Sequence, residues 1–128
     1  MPLWTRLTVI LGALLAAIGG LVALIHPSML VSPHEEINGA VRTYAGYLAS
    51  RNLAVAIVLI ALLYLRAARS LGQMMVLFAL IQFFDAGMDC WEGRWTLVPG
   101  IIVLCLLFLL AAKRLSGQSF WSRAAWIE

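Results

Sequence analysis

Four apolar segments, each near the roughly 20 residues an α-helix needs to cross a bilayer, constrain this chain more than any other feature. They run over about residues 5–25, 47–65, 71–91 and 97–112. The first contains LTVILGALLAAIGGLVALI and the last IIVLCLLFLLAA. No water reaches a hydrocarbon core to satisfy a loose amide, so each segment is expected to be helical. Composition agrees. The 128 residues are 63% hydrophobic and 12% charged, too few charges to cover a soluble domain of this size. The sequence therefore predicts an all-α, polytopic membrane protein: one four-helix transmembrane bundle over residues 1–128.

Arg6 precedes the first apolar run as in a signal peptide. The run continues to Ile25 and no small-x-small cleavage site closes it, so a retained helix is expected. Gly12, Ala16 and Gly20 recur at four-residue spacing, which permits close helix packing. With the N-terminus inside, that side holds Arg6, Arg66, Arg69, Lys113, Arg114 and Arg123, and the other side Arg42, Arg51 and Arg94. Six cations against three predict that both termini are cytoplasmic. Trp91 and Trp95 then fall at the outer interface and Trp4, Tyr64 and Trp121 at the inner one. The tail, residues 116–128, is mildly amphipathic and is expected to lie along the inner surface.

The connection at residues 26–46 is the longest. Ser32-Pro33-His34-Glu35 fits a capping box with proline at the first helical position. A helix is therefore expected to start at Pro33 and run into the second span, bending near Gly39 or Gly46. His26 reads as an interfacial residue, and His34 cannot converge on one ion with its neighbours Glu35 and Glu36. Cys90 and Cys105 have no metal-ligand spacing and fall at different depths, so no disulfide is expected. The sequence contains no glycine-rich phosphate loop, Ser-His-Asp order or CxxC motif, hence no cofactor is expected. A net charge of +3 from scattered cations argues against a nucleic-acid partner.

The third segment carries the polar chemistry. Gln82, Asp85, Asp89 and Glu92 fall on one helical stripe at i, i+3, i+7 and i+10. With a rise of about 1.5 Å per residue and a midplane near Ile81, Asp85 lies roughly 6 Å from the bilayer centre. A lone carboxylate there costs about 2.5–3.5 kcal/mol, so it should face protein and have a partner. Arg51 in the second segment falls at the same outer depth, with Tyr47 and Tyr44 one and two turns before it and Asn52 beside it. The expected cluster is Arg51, Asp85 and Asp89 as acid/base or charge-bearing groups. Tyr44, Tyr47, Asn52, Gln82 and Glu92 would contact substrate, with Glu35, Glu36, His34 and Arg42 as a lid. Two carboxylates one turn apart repel unless a cation neutralises the pair or they share a proton. Arg–Asp pairs that merely pin two helices together have the same signature.

GYLASRNLAVAIVL, RAARSLGQMMVLFALIQFFDAGMD and GRWTLVPG, which together span roughly residues 44–100, resemble small four-span membrane proteins of uncharacterised function related to the DoxX-like group. The shared features are an arginine-bearing start to the second span, a basic-Leu-Gly turn and an aspartate late in the third span, here Arg51, Arg69 to Gly72, and Asp85. The resemblance implies a four-helix topology and carries no settled activity.

Three functions compete on these residues. The first is an acid/base enzyme or binder for a small lipophilic substrate, of isomerase or epoxide-hydrolase type. The second is a structural partner in a membrane complex, docked through the small-residue stripe of the first helix. The third is a proton-coupled transporter, which with four spans would need a homo-oligomer and lacks a polar route through its inner half. The expected partners are the bilayer, a small lipophilic ligand and a second copy, and the expected location is a bacterial inner membrane.

Overall fold

The computed structural model describes residues 1–30, 35–117 and 121–127. No strand occurs among them. The chain forms α1 (Leu3–Ile25), α2 (Gly39–Tyr64), α3 (Ala68–Trp91) and α4 (Val98–Ser116), with 3-10 turns at Pro27–Leu30 and Arg123–Ala125. Each of the four helices is long and apolar enough to cross a membrane.

The start of α2 differs from the expected one. Residues 32–34 of the capping box lie outside the described residues, and residues 35–38 are not helical. The helix begins at Gly39 because Asn38 caps it. Asn38 Oδ1 accepts the Val41 N–H at 3.0 Å, and its carbonyl accepts the Arg42 N–H at 3.1 Å. Asparagine is among the best N-cap residues, since its side chain satisfies an amide that the first helical turn leaves open. Gly46 lies within the uninterrupted helix. At 26 residues, α2 is about 39 Å long. Arg51 is thus twelve residues inside the helix (51 minus 39) rather than at its start.

Three helix ends close on a left-handed residue, the conformation that lets the last carbonyls find donors. After α2, the Arg66 N–H donates to Leu63 O and the Ala67 N–H to Leu62 O, both at 3.1 Å. This is a Schellman motif with Arg66, at φ 56°, where glycine usually sits. After α3, Gly93 at φ 77° takes that place, and after α4, Gly117 at φ 69° does. The basic-Leu-Gly segment expected to form a turn lies in the first turns of α3 instead. The turn itself is residues 65–67, because the left-handed backbone at Arg66 reverses the chain before Arg69 is reached.

Two compact units can be distinguished: Ile10–Ile60, and Met1–Val9 with Ala61–Glu128. In the first, the later part of α1 runs antiparallel to α2. Ala23, Ala45 and Ala49 are buried together with Leu48 against them. A Cβ on Gly20 would lie 3.3 Å from Ala49 O and 3.3 Å from Leu53 Cγ. Gly12, Ala16 and Gly20 are all buried, as their spacing predicts.

In the second unit, α3 and α4 are antiparallel. Gly72 packs on the last turn of α4, where a Cβ would meet Ala112 O at 3.2 Å and Ser116 N at 3.3 Å. Phe78 stacks on Phe108 with centroids 4.8 Å apart and planes 12° apart. Further along, the buried Cys105 thiol donates to Ala79 O at 3.3 Å. Thr5 and Thr8 of α1, also buried, donate back to Pro2 O and Trp4 O, each at 2.8 Å. This satisfies hydroxyls that would otherwise stand unpaired in apolar surroundings.

Two glycines of α3 should respond oppositely to added side chains. Gly72→Leu forces a side chain against the α4 backbone and is expected to lose about 1–3 kcal/mol of stability. Gly87 has nothing within 4 Å of a built Cβ, so Gly87→Ala should gain about 0.5–1 kcal/mol. Unfolding of detergent-solubilised protein by SDS measures both. Equal tolerance of the two changes would contradict the close α3–α4 contact.

Candidate functional site

The residues singled out by sequence fall on both units. Tyr44, Tyr47, Arg51 and Asn52 belong to Ile10–Ile60, and Gln82, Asp85, Asp89 and Glu92 to the unit containing α3. On α2, Tyr44 and Tyr47 are 72% and 68% exposed and touch edge to face, with centroids 6.5 Å apart. Arg51 is exposed one turn further along, and so continues the same face. Asn52 points the other way. Its Nδ2 lies 3.1 Å from the position a Cβ on Gly19 would occupy, so it packs against the glycine pair of α1.

On α3 the polar stripe is graded. Gln82 and Asp85 are half-buried, Asp89 is buried, and Glu92, just past the last helical turn, is exposed. The cation beside Asp89 is Arg94. Arg94 Nε lies 3.7 Å from Asp89 Oδ1, and Arg94 Nη2 donates to Glu92 Oε2. Two features of the local backbone bring these groups together. Gly93 adopts the left-handed conformation that ends α3, and its N–H donates to Cys90 O at 3.2 Å. The chain then folds back so that the Arg94 N–H donates to Asp89 O at 2.8 Å. Arg94 is thereby tied to Asp89 through main chain and side chain at once.

The electrostatics explain why a cation is needed there. Two carboxylates at the C-terminal end of a helix face the negative end of its dipole. Without a counter-charge, Asp89 would be buried, repelled by that dipole and close to Glu92. The guanidinium of Arg94 answers all of these together.

Sequence reasoning counted Arg94 only as an outer-side charge and did not pair it with Asp89. A signal was present in WEGR. A glycine just past the last apolar residue of a helix marks the residue after it as the one whose amide returns five positions back. Residue 94 minus five is 89.

What the arrangement can do chemically follows from the difference between the two aspartates. Asp89 is committed to an ion pair and a helix end. Asp85, one turn deeper along α3, and Gln82, nearly another turn beyond, place a carboxylate and an amide within a helix of membrane-crossing length. Among the described residues, no three His, Cys, Asp or Glu side chains converge as a metal site requires. No family model matches the chain, and neither a curated protein nor a solved structure does.

Replacing Arg94 by Gln removes the counter-charge of Asp89 and should lower stability by about 1–3 kcal/mol. Asp89→Asn alone should cost less, and the double variant should cost less than the sum, with a coupling of at least about 0.5 kcal/mol. SDS unfolding of the four proteins closes the cycle. Strictly additive losses would show that the pair does not couple.

Proposed function

We propose that this chain is a multi-pass inner-membrane protein of a bacterium that binds a small lipophilic molecule through the Gln82–Asp85 segment of α3 and acts on it by acid/base chemistry. The observation that carries this is a carboxylate, Asp85, held half-buried inside a helix of membrane-crossing length. Asp89 is paired with Arg94 at the helix end, and Asp85, half-buried one turn deeper in a helix of membrane-crossing length, is the carboxylate assigned to proton transfer. Carboxylates held in different environments on one face are how proteins separate a fixed charge from an exchangeable proton. An ionisable side chain within a membrane-length helix is itself uncommon and points to function. In this scheme Gln82 orients a polar group of the ligand. The reaction classes that fit a carboxylate acting as acid or base are double-bond isomerisation and water-assisted epoxide opening. Kinship with the DoxX-like group is part of the same proposal and contributes only its four-helix topology.

A second reading is favoured by the clamp itself. Asp89, Arg94 and Glu92 together do what a structural ion-pair cluster does, and the small-residue face of α1 suits helix docking, so a role as an assembly partner in a membrane complex is the alternative. The two aspartates separate these functions. Asp85→Asn should leave the protein folded while abolishing turnover or the retention of a copurifying lipophilic compound, as read by mass spectrometry of extracts. If wild type and variant carry no specific compound and both fold, the ligand reading fails and assembly takes its place.

Orientation completes the proposal. Both termini are assigned to the cytoplasm, with the Asp89–Arg94 end outside. Thr96, which is exposed in the α3–α4 connection, is the position to probe. With Cys90 replaced by Ser, Thr96→Cys should react with a membrane-impermeant maleimide from the periplasmic side. Reaction only after permeabilisation would reverse the assignment.

A further inference from the structure

The end of the α3–α4 pair opposite Asp89 takes no part in the function proposed above, and its chemistry is of a different kind. Gly72 against Ala112 and Ser116 sets the register of the two helices. Arg69, at the start of α3, and Lys113 and Arg114, in the last turn of α4, therefore belong to one end. Arg66 occupies the left-handed turn just before α3.

The tail brings in a fifth cation. Arg69 Nη2 donates to Ala124 O at 3.3 Å, and Gln73 Nε2 donates to Trp126 O at 3.4 Å. Ser122 Oγ caps the turn Arg123–Ala125 by accepting the Ala124 N–H at 3.3 Å. The tail is thus fastened across the start of α3, with Arg123 in the fastened segment.

All five cations are exposed. No carboxylate occurs in the sequence between Glu36 and Asp85, or between Glu92 and the terminal Glu128. The same fastened segment exposes large apolar side chains. Trp121 is 74% exposed, Trp126 46% and Ile127 50%.

From this juxtaposition we infer that the basic end of the α3–α4 pair, with its fastened tail, is a docking surface for the anionic phospholipid headgroups of one leaflet. Two arguments select a lipid surface. First, the cations sit at the ends of helices of membrane-crossing length. From Arg69 to Asp89 is twenty residues of α3, about 30 Å of helix, which equals the thickness of the hydrocarbon core. A charge cluster so placed meets headgroup phosphates. Second, a dissolved phosphate has no apolar part for aromatic rings to meet, whereas this surface pairs its cations with exposed indole rings. Indole rings and basic side chains together suit the boundary between charged headgroups and acyl chains. Guanidinium groups add bidentate contact with phosphate oxygens, and several cations act additively near an anionic leaflet. The bonds from Arg69 and Gln73 keep the tail in place, so the basic and aromatic groups are presented together.

Native mass spectrometry of the full chain in detergent tests this directly. The protein is offered equal amounts of phosphatidylglycerol and phosphatidylcholine with identical acyl chains. Wild type should retain phosphatidylglycerol over phosphatidylcholine by about tenfold, and the variant K113Q/R114Q, which leaves the tail bonds intact, should reduce that preference at least about fivefold. R69Q/R123Q should reduce it as well, and all variants must elute as folded protein. Millimolar inorganic phosphate should leave the preference unchanged. Equal retention of the two lipids by wild type would overturn the inference, as would an unchanged preference in both folded double variants. Loss of the preference in the presence of phosphate would assign the cations to a dissolved anion and overturn it too.

Discussion

The backbone amide is the group on which this structure depends. A chain this apolar has little water to offer its peptide groups, so every N–H and C=O within a span must bond inside its own helix. That leaves the ends as the places where conformation is decided, because each helix has four donors and four acceptors with no helical partner. Asn38 answers with its side chain at the start of α2. Arg66, Gly93 and Gly117 answer with left-handed backbone at the ends of α2, α3 and α4. Once those ends are closed, the remaining choices concern which small residues let two helices approach, and Gly20 and Gly72 make them.

The same requirement reaches into the chemistry. The turn that closes α3 also carries Arg94 back to Asp89, so a backbone device and a charge pair are one feature seen at two scales. The Asp89 carboxylate therefore stands at a helix terminus as well as on the polar stripe. Its twin at Asp85 sits one turn before that terminus and is half-buried rather than buried. Burial and charge therefore split two residues that are chemically identical and only four positions apart, and that split gives the stripe its asymmetry. The charge distribution along the α3–α4 pair continues the asymmetry: an acidic end closed by one arginine, and a basic end free of carboxylates among the described residues.

Much of the fold was legible because its signals are long. Four runs of apolar residues specify four helices whatever the details, and α1, α3 and α4 start within about three residues of where hydropathy places them. The small-residue spacing of α1 was legible for a similar reason, since a four-residue repeat can only mark one helix face. Signals carried by one or two residues fared worse. The Ser32-Pro33-His34-Glu35 pattern has all the marks of a helix start, yet Asn38 caps α2 five residues after Pro33, because two competing caps cannot be ranked without knowing where the span must begin. The resemblance to the DoxX-like group implies a turn at Arg69–Gly72, whereas the reversal falls at Arg66, a residue type that seldom adopts positive φ.

The sequence by itself determined the fold class, the number of helices and the membrane-scale length of each. Those follow from hydrophobicity summed over twenty residues and need no partner. It also determined that Gln82, Asp85, Asp89 and Glu92 share a stripe, since helical periodicity is a local property. Only the tertiary structure decided that Asp89 belongs to Arg94, that Asn52 turns toward Gly19, and that Arg69 and Gln73 hold the tail. Each of these depends on a few hydrogen bonds or a contact of 3–4 Å. Such contacts are set by where a left-handed residue reverses the chain and by how closely two helices meet, and neither distance is written in the spacing of residues along one helix.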